Sequence, residues 1–118
     1  MGKIKILFVC YANEDRSLTA EHMYKNNPDI EAKSAGVAQS AVVSLNSELI
    51  EWADVILCME IWQQRYVQRI FIDLLSCKET GCLNISDGYN YWDSKLISLI
   101  KERMEPWLLK YDIKEVDA

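Results

Sequence analysis

A three-layer, doubly wound α/β domain, with a four-stranded parallel sheet and helices on both faces, is what this sequence predicts. Three observations predict it. Strand-like and helix-like segments alternate along the chain, the pattern of a parallel sheet wrapped by its own crossover helices. The first strand-like run, Ile6-Leu7-Phe8-Val9, is apolar without alternation and so is expected to be buried on both faces. The chain has 118 residues, enough for one core of this kind but not for two, so a single domain over residues 1–118 is expected.

The elements follow in order. Residues 4–9 read as the first strand. A helical pattern from about residue 17 to residue 25 stops before Pro28. Residues 30–33 suggest a second strand, closing at Gly36. Leu45-Asn46-Ser47 starts a helix: Asn46 is placed to cap it, and Leu45 with Ile50 has the spacing of a hydrophobic staple. Residues 55–59 read as the third strand and residues 61–71 as the next helix. Residues 82–85 are expected to be the fourth strand. In the last helix Leu96, Ile97, Ile100, Met104, Trp107, Leu108 and Tyr111 recur at three- and four-residue steps. Trp52, Trp62 and Trp107 fall among helical apolar positions and are expected in the core.

The net charge is −5. That balance argues against nucleic acid, whose phosphates need a basic footprint, and against anionic membrane surfaces. Lys3 and Lys5 interrupt the first apolar run, no signal peptide is visible, and the expectation is a cytoplasmic protein. There are four cysteines, at 10, 58, 77 and 82. They form no Cys-x-x-Cys pair, and the sole histidine is His22. Neither a metal site nor a disulfide framework is expected, and nothing calls for a cofactor.

The loop after the first strand carries the chemistry. Residues 10–17 read Cys-Tyr-Ala-Asn-Glu-Asp-Arg-Ser, between the end of a buried strand and the start of a helix. In a parallel sheet this is the ligand side. Successive backbone N–H groups of Tyr11, Ala12, Asn13, Glu14, Asp15, Arg16 and Ser17 can curl into an anion-binding nest, and the helix N-terminus adds partial positive charge. Arg16 can offer the same anion a bidentate fork. A Cys10 sulfur beneath that anion is favoured as thiolate, the nucleophilic form. Inorganic phosphate or sulfate is the expected occupant.

These residues also resemble a known family. Ile6-Leu7-Phe8-Val9-Cys10, then Asn13, Arg16-Ser17 and Ala20-Glu21, are similar to the signature of the low-molecular-weight protein tyrosine phosphatases. Ser34-Ala35-Gly36 resembles the family's next landmark. Glu51-Trp52-Ala53-Asp54, with the apolar strand ending Met59-Glu60, resembles a short subgroup of predicted protein tyrosine phosphatases. The resemblance runs from about residue 4 to residue 108. It implies hydrolysis of a phosphate monoester through a cysteinyl-phosphate intermediate. Cys10 would be the nucleophile, Arg16 the phosphate clamp, Ser17 a hydroxyl donor to the sulfur, and Asn13 the holder of the loop. The substrate it implies is a phosphorylated protein or a small aryl phosphate.

That mechanism needs a carboxyl group to protonate the leaving oxygen and then activate water. The family carries an Asp on a late loop, followed by tyrosines. Residues 85–93 here read Ile-Ser-Asp-Gly-Tyr-Asn-Tyr-Trp-Asp. Asp87 is the candidate acid, against the alternative of a turn residue before Gly88. Tyr89, Tyr91 and Trp92 are expected to wall the substrate pocket. Asp93 is read as the N-cap of the last helix.

The chain departs from the family at Ala12 for a common Gly, Leu18 for a common Pro, and Gly88 for the Pro after the acid. Glu14 and Asp15 place two carboxylates in a loop built for a dianion. A carboxylate ~5 Å from a unit charge repels it by ~3 kcal/mol at an effective dielectric of 20, and by under ~1 kcal/mol if it faces water. Two other readings stay open. One is an arsenate reductase-like thiol enzyme with Cys77 or Cys82 resolving Cys10. The other is a weakly catalytic module that binds phosphate without turning it over.

Overall fold

The computed structural model describes residues 2–115. In chain order the elements are β1 (Ile4–Cys10), α1 (Arg16–Tyr24), β2 (Ile30–Gly36), α2 (Ser47–Trp52), β3 (Val55–Cys58), α3 (Ile61–Ile70), a 3-10 turn (Ile72–Leu74), β4 (Glu79–Cys82) and α4 (Ser94–Lys110). The strands form one sheet in the order β2-β1-β3-β4, and every neighbouring pair is parallel. The three-layer architecture expected from the sequence is therefore the one observed.

The unalternating first strand is explained by its two buried faces. Ile6, Phe8 and Cys10 of β1, with Val55, Leu57 and Met59, pack against Ala20 and Tyr24 of α1 and Leu96, Ile100, Met104 and Leu108 of α4. Leu7 and Val9, with Ile56 and Cys58, pack on the other face against Ile50 of α2 and Val67 of α3. Successive strand residues serve opposite layers, so both sets must be apolar. Burying each of these side chains contributes ~1.5–3 kcal/mol. The same period sends the Cys10 side chain toward the layer of α1 and α4.

Two helix starts are as expected. Asn46 Oδ1 accepts from the backbone N–H of Leu49 at 2.9 Å, and Leu45 and Ile50 share one apolar cluster. Asp93 Oδ1 accepts from Lys95 N at 2.7 Å and Leu96 N at 3.4 Å.

The fourth strand is a correction. It runs over Glu79–Cys82 rather than residues 82–85. It is an edge strand of Glu, Thr, Gly and Cys, too polar to announce itself by hydrophobic pattern. Its partner is local chemistry instead: Glu79 receives hydrogen bonds from Lys110 and Tyr111 of the α4 end, and Gly81 lies so close under Trp107 that a Cβ would sit 2.2 Å from the indole ring. Leu83 and Ile85, the apolar residues that suggested a strand, still bond to the exit of β3 through Leu83 N to Cys58 O (2.8 Å) and Ile85 N to Met59 O (2.7 Å). A second correction concerns Trp62, which is 44% exposed rather than in the core.

β1 is flanked by β2 on one side and β3 on the other, so the chain reverses its direction of travel across the sheet at the carboxyl end of β1. Ligands of open α/β sheets bind at this kind of switch point. Cys10 ends β1 there, and Glu60 follows β3 beside it. Among the described residues, no helix is long and apolar enough to cross a membrane.

Candidate active site

The loop between β1 and α1 is shaped from outside by the segment after β2. Val37 N donates to Cys10 O (3.0 Å), Ala38 N to Tyr11 O (3.0 Å) and Val42 N to Ala12 O (3.1 Å). Because the peptide is planar and trans, each carbonyl drawn outward turns the next N–H inward. The amides of Tyr11, Ala12 and Asn13 therefore face the loop interior, and Asn13 N meets Cys10 Sγ at 3.2 Å. Gly36 makes this closeness possible: a Cβ there would stand 2.4 Å from Tyr11 O and 2.9 Å from Asn13 N.

Asn13 has φ +58, in the left-handed region that Asn tolerates better than most residues, and its side chain is fully buried. The N–H of Val43 can only donate, so the Asn13 atom it meets at 3.2 Å is Oδ1. Nδ2 then donates to Ser17 Oγ (2.8 Å) and to Ser34 Oγ (2.9 Å). Ser34 Oγ in turn donates a hydrogen bond to the Glu21 carboxylate. Ser17 Oγ lies 3.0 Å from Cys10 Sγ, a pair in which either atom can donate, with Ala35 O at 3.4 Å as another acceptor for the hydroxyl. The sulfur thus accepts from one backbone N–H and has the Ser17 hydroxyl within hydrogen-bond reach.

Arg16 is 3% exposed. Its Nη1 donates to Glu60 Oε2 and to Ile85 O, both at 2.8 Å. Nε and Nη2, the parallel donors of the guanidinium edge, make no hydrogen bond among the described residues, and such an edge suits two oxygens of one anion. Glu60 also caps α3 in a capping box with Gln63, so the helix start fixes the carboxylate that fixes the arginine. Cys10, Tyr11, Ala12, Glu14, Asp15, Arg16 and Asp87 line one pocket of about 140 Å³. Among the described residues, no group of three or more His, Cys, Asp or Glu is placed to hold a metal ion.

No protein-family model and no curated protein matches the chain. Solved structures do. A low-molecular-weight protein tyrosine phosphatase from Streptococcus pyogenes is 14% identical, with TM-score 0.71 over 91% of this chain and 92% of that one. The tyrosine phosphatase Wzb from Escherichia coli K30, in complex with sulphate, is 21% identical, with TM-score 0.72 over 91% and 97%. The YwlE arginine phosphatase from Geobacillus stearothermophilus is 23% identical, with TM-score 0.65 over 92% and 97%. The fold is that of the low-molecular-weight protein tyrosine phosphatases.

Within this phosphatase fold the remaining candidates are distributed as follows. Asp87 stands at the pocket rim with its side chain 82% exposed, its Oδ1 4.0 Å from Arg16 Nη2. Gly88 N donates to the same oxygen at 2.9 Å. Glu14 is exposed at the rim, while Asp15 is half-buried and its Oδ1 accepts from Tyr91 N at 2.7 Å. Tyr89, Tyr91 and Trp92 are not among the residues lining the pocket. Tyr89 packs against the α1/α4 core. The Tyr91 hydroxyl meets His22 Nδ1 at 2.6 Å, and Trp92 N donates to Thr19 Oγ1 at 3.0 Å. The aromatic side chain at the pocket is Tyr11, 54% exposed, its ring 6.2 Å from that of Trp62.

Cys58 lies on the strand next to Cys10 but faces the opposite layer of the sheet, and Cys82 and Cys77 are farther away. Cys82 is paired in register with Cys58, which lies on the neighbour of β1. Two strand spacings put its backbone roughly 10 Å from that of Cys10, beyond disulfide reach. Cys77 is exposed just before β4, at the opposite end of the parallel sheet. Burial, and secondarily Cys82, push the Cys58 thiol up. The placement gives the arsenate-reductase reading no resolving cysteine.

Sequence reasoning did not find Glu60, Trp62 or the Asp15–Tyr91 bond. A signal existed for the first: Glu60 and Gln63 have capping-box spacing immediately after a strand, which places a carboxylate on the ligand side.

Proposed function

We propose that this protein hydrolyses phosphate monoesters, chiefly aryl ones such as phosphotyrosine in proteins, through a phosphocysteine at Cys10. The observation that carries the reading is the Cys10 sulfur, within hydrogen-bond reach of Asn13 N and Ser17 Oγ, in a pocket edged by Arg16.

The monoester oxygens take the inward backbone amides and the Nε/Nη2 edge of Arg16, where inorganic phosphate or sulfate would also bind. The Cys10 thiolate attacks phosphorus and the P–O bond to the leaving group breaks. Asp87, as the acid, gives its proton to the departing oxygen. In the second step Asp87 takes a proton from water, which displaces the cysteine sulfur, and Ser17 steadies that sulfur as it leaves. Arg16 and the amides carry the transition-state charge. Tyr11, packed on Trp62, offers the aryl ring its apolar neighbour. A thiolate nucleophile requires a reducing compartment, which fits the cytoplasm.

The test is hydrolysis of p-nitrophenyl phosphate. Cys10→Ser is expected to abolish turnover while retaining phosphate binding. Turnover that survives Cys10→Ser would rule out the covalent route. A second reading, hydrolysis of phosphoarginine, is favoured by the carboxylates of Glu14, Asp15 and Asp87 around the pocket, which suit a guanidinium. Comparing kcat/KM on phosphotyrosine and phosphoarginine peptides of one sequence decides between the two.

A further inference from the structure

We propose that Asp15 is a positioning residue for the general acid: its carboxylate holds the loop that carries Asp87. The inference rests on the reading of Asp87 as the acid.

Asp87 is poorly held by its own surroundings. Its side chain is 82% exposed, with Arg16 Nη2 at 4.0 Å, and among the described residues it accepts one hydrogen bond, from the N–H of the next residue. That residue, Gly88, has φ +113 and open space around its Cβ position, so the middle of the loop is conformationally free. The position of Asp87 is therefore set by its flanks: Tyr89 packs against the α1/α4 core, and the ends of the segment are tied down. Two adjacent residues of the phosphate loop hold those ends. Arg16 Nη1 binds the carbonyl of Ile85, two residues before Asp87. Asp15 Oδ1 binds the N–H of Tyr91, four residues after it. Trp92 N on Thr19 Oγ1 continues the second attachment into α1, beside a Trp92 held at φ +63.

Asp15 also gives up the job its position suggests. It precedes the first residue of α1, where an Asp normally accepts from the helix's own N–H groups, yet its side chain makes no capping hydrogen bond. Its Oδ1 is committed instead to a segment 76 residues away. A carboxylate inside an anion-binding loop, otherwise an electrostatic liability, is thereby accounted for. Clasp and charge are separable: Asn keeps the oxygen and drops the charge, whereas Ala drops both.

The test measures kcat/KM, which reports the phosphoryl-transfer step, on p-nitrophenyl phosphate and on phenyl phosphate, whose leaving group depends more on the acid. Asp15→Ala is expected to lose on the order of tenfold on phenyl phosphate and much less on p-nitrophenyl phosphate. Its inhibition by inorganic phosphate should be unchanged or tighter. Asp15→Asn should restore the wild-type ratio between the two substrates. Equal losses on both substrates, or weakened phosphate binding, would mean that Asp15 merely shapes the anion loop, and would overturn the proposal. Asp87→Asn is the control: if it shows no preference for the better leaving group, the reading of the acid fails and Asp15 falls with it. Amide exchange in the unsubstituted protein gives a readout independent of variant folding. The Tyr91 N–H should be protected; exchange at the rate of a free amide would also refute the clasp.

Discussion

Asn13→Ala tests the loop most sharply, because one side chain organises it. The substitution removes the two Nδ2 donations to Ser17 and Ser34 and leaves the Val43 N–H without Oδ1. Each bond is worth ~1 kcal/mol in a buried setting. Alanine must also adopt φ near +58, at ~1 kcal/mol or more. The expected loss of folding stability is about 4 kcal/mol. Asn13→Gly loses the same hydrogen bonds but accepts the backbone, so it should be less destabilised than Ala by about 0.5–1 kcal/mol. Activity should separate from stability, because both variants release Ser17 to turn toward Ala35 O and both lower kcat. The assay is urea denaturation at equilibrium, with p-nitrophenyl phosphate turnover in the absence of denaturant. Both variants lying within 1 kcal/mol of the wild type, or Gly being the less stable of the two, would refute the reasoning.

Four further outcomes are expected. Gly36→Ala drives a Cβ into Tyr11 O and should cost ~1–3 kcal/mol of stability, with a fall in activity that a denaturation curve and a turnover assay would register together; unchanged behaviour in both would contradict the close packing. Trp62→Ala removes the partner of Tyr11 and should raise KM for aryl phosphates several-fold, about 1 kcal/mol of contact, while leaving alkyl phosphates unaffected; a uniform rise would argue against a ring subsite. Hydrogen bonds from Lys110 and Tyr111 hold the Glu79 carboxyl below the usual carboxylate range. Its contribution is therefore present above the unfolded value near pH ~4.3 and is lost as the pH falls through the lower folded value. Glu79→Gln should be less stable than the wild type by ~1 kcal/mol at pH 7, with the gap closing in acid. On the alkaline side, burial first and Glu79 second push the Tyr111 hydroxyl up to about 12. Wild-type stability should fall from about pH 10, where the unfolded tyrosine ionises, as the pH rises toward that value, and Tyr111→Phe should remove this part of the decline.

What the sequence made legible was local in the chain. Cys10, Asn13, Arg16 and Ser17 lie within eight residues, so strand-loop-helix geometry alone brings them together in one loop. The helix starts at Asn46 and Asp93 were equally local, because a cap and its helix are neighbours. The unread features all join residues far apart. Glu60 reaches Arg16 across 44 residues, Tyr91 reaches Asp15 across 76, and Trp62 approaches Tyr11 from another helix. A hydrophobic period assigns Trp62 to the interior but carries no information on which residues of a helix face end at a pocket rim. The fourth strand was displaced for a related reason. Glu79 pairs with the end of α4 and Thr80 with Gln64 and Gln68 of α3, contacts that only the assembled fold creates, while the apolar Leu83 and Ile85 belong to the segment leading out of the strand.

Acid-quenching the protein during turnover of an aryl phosphate and mapping the modified peptide by mass spectrometry decides whether catalysis passes through a phosphocysteine. One phosphoryl group is expected on the peptide containing Cys10, on sulfur, accumulating further in Asp87→Asn if release of phosphate is slowed more than its transfer. Steady turnover with no phosphoryl group on Cys10, together with activity retained in Cys10→Ser, would contradict that route.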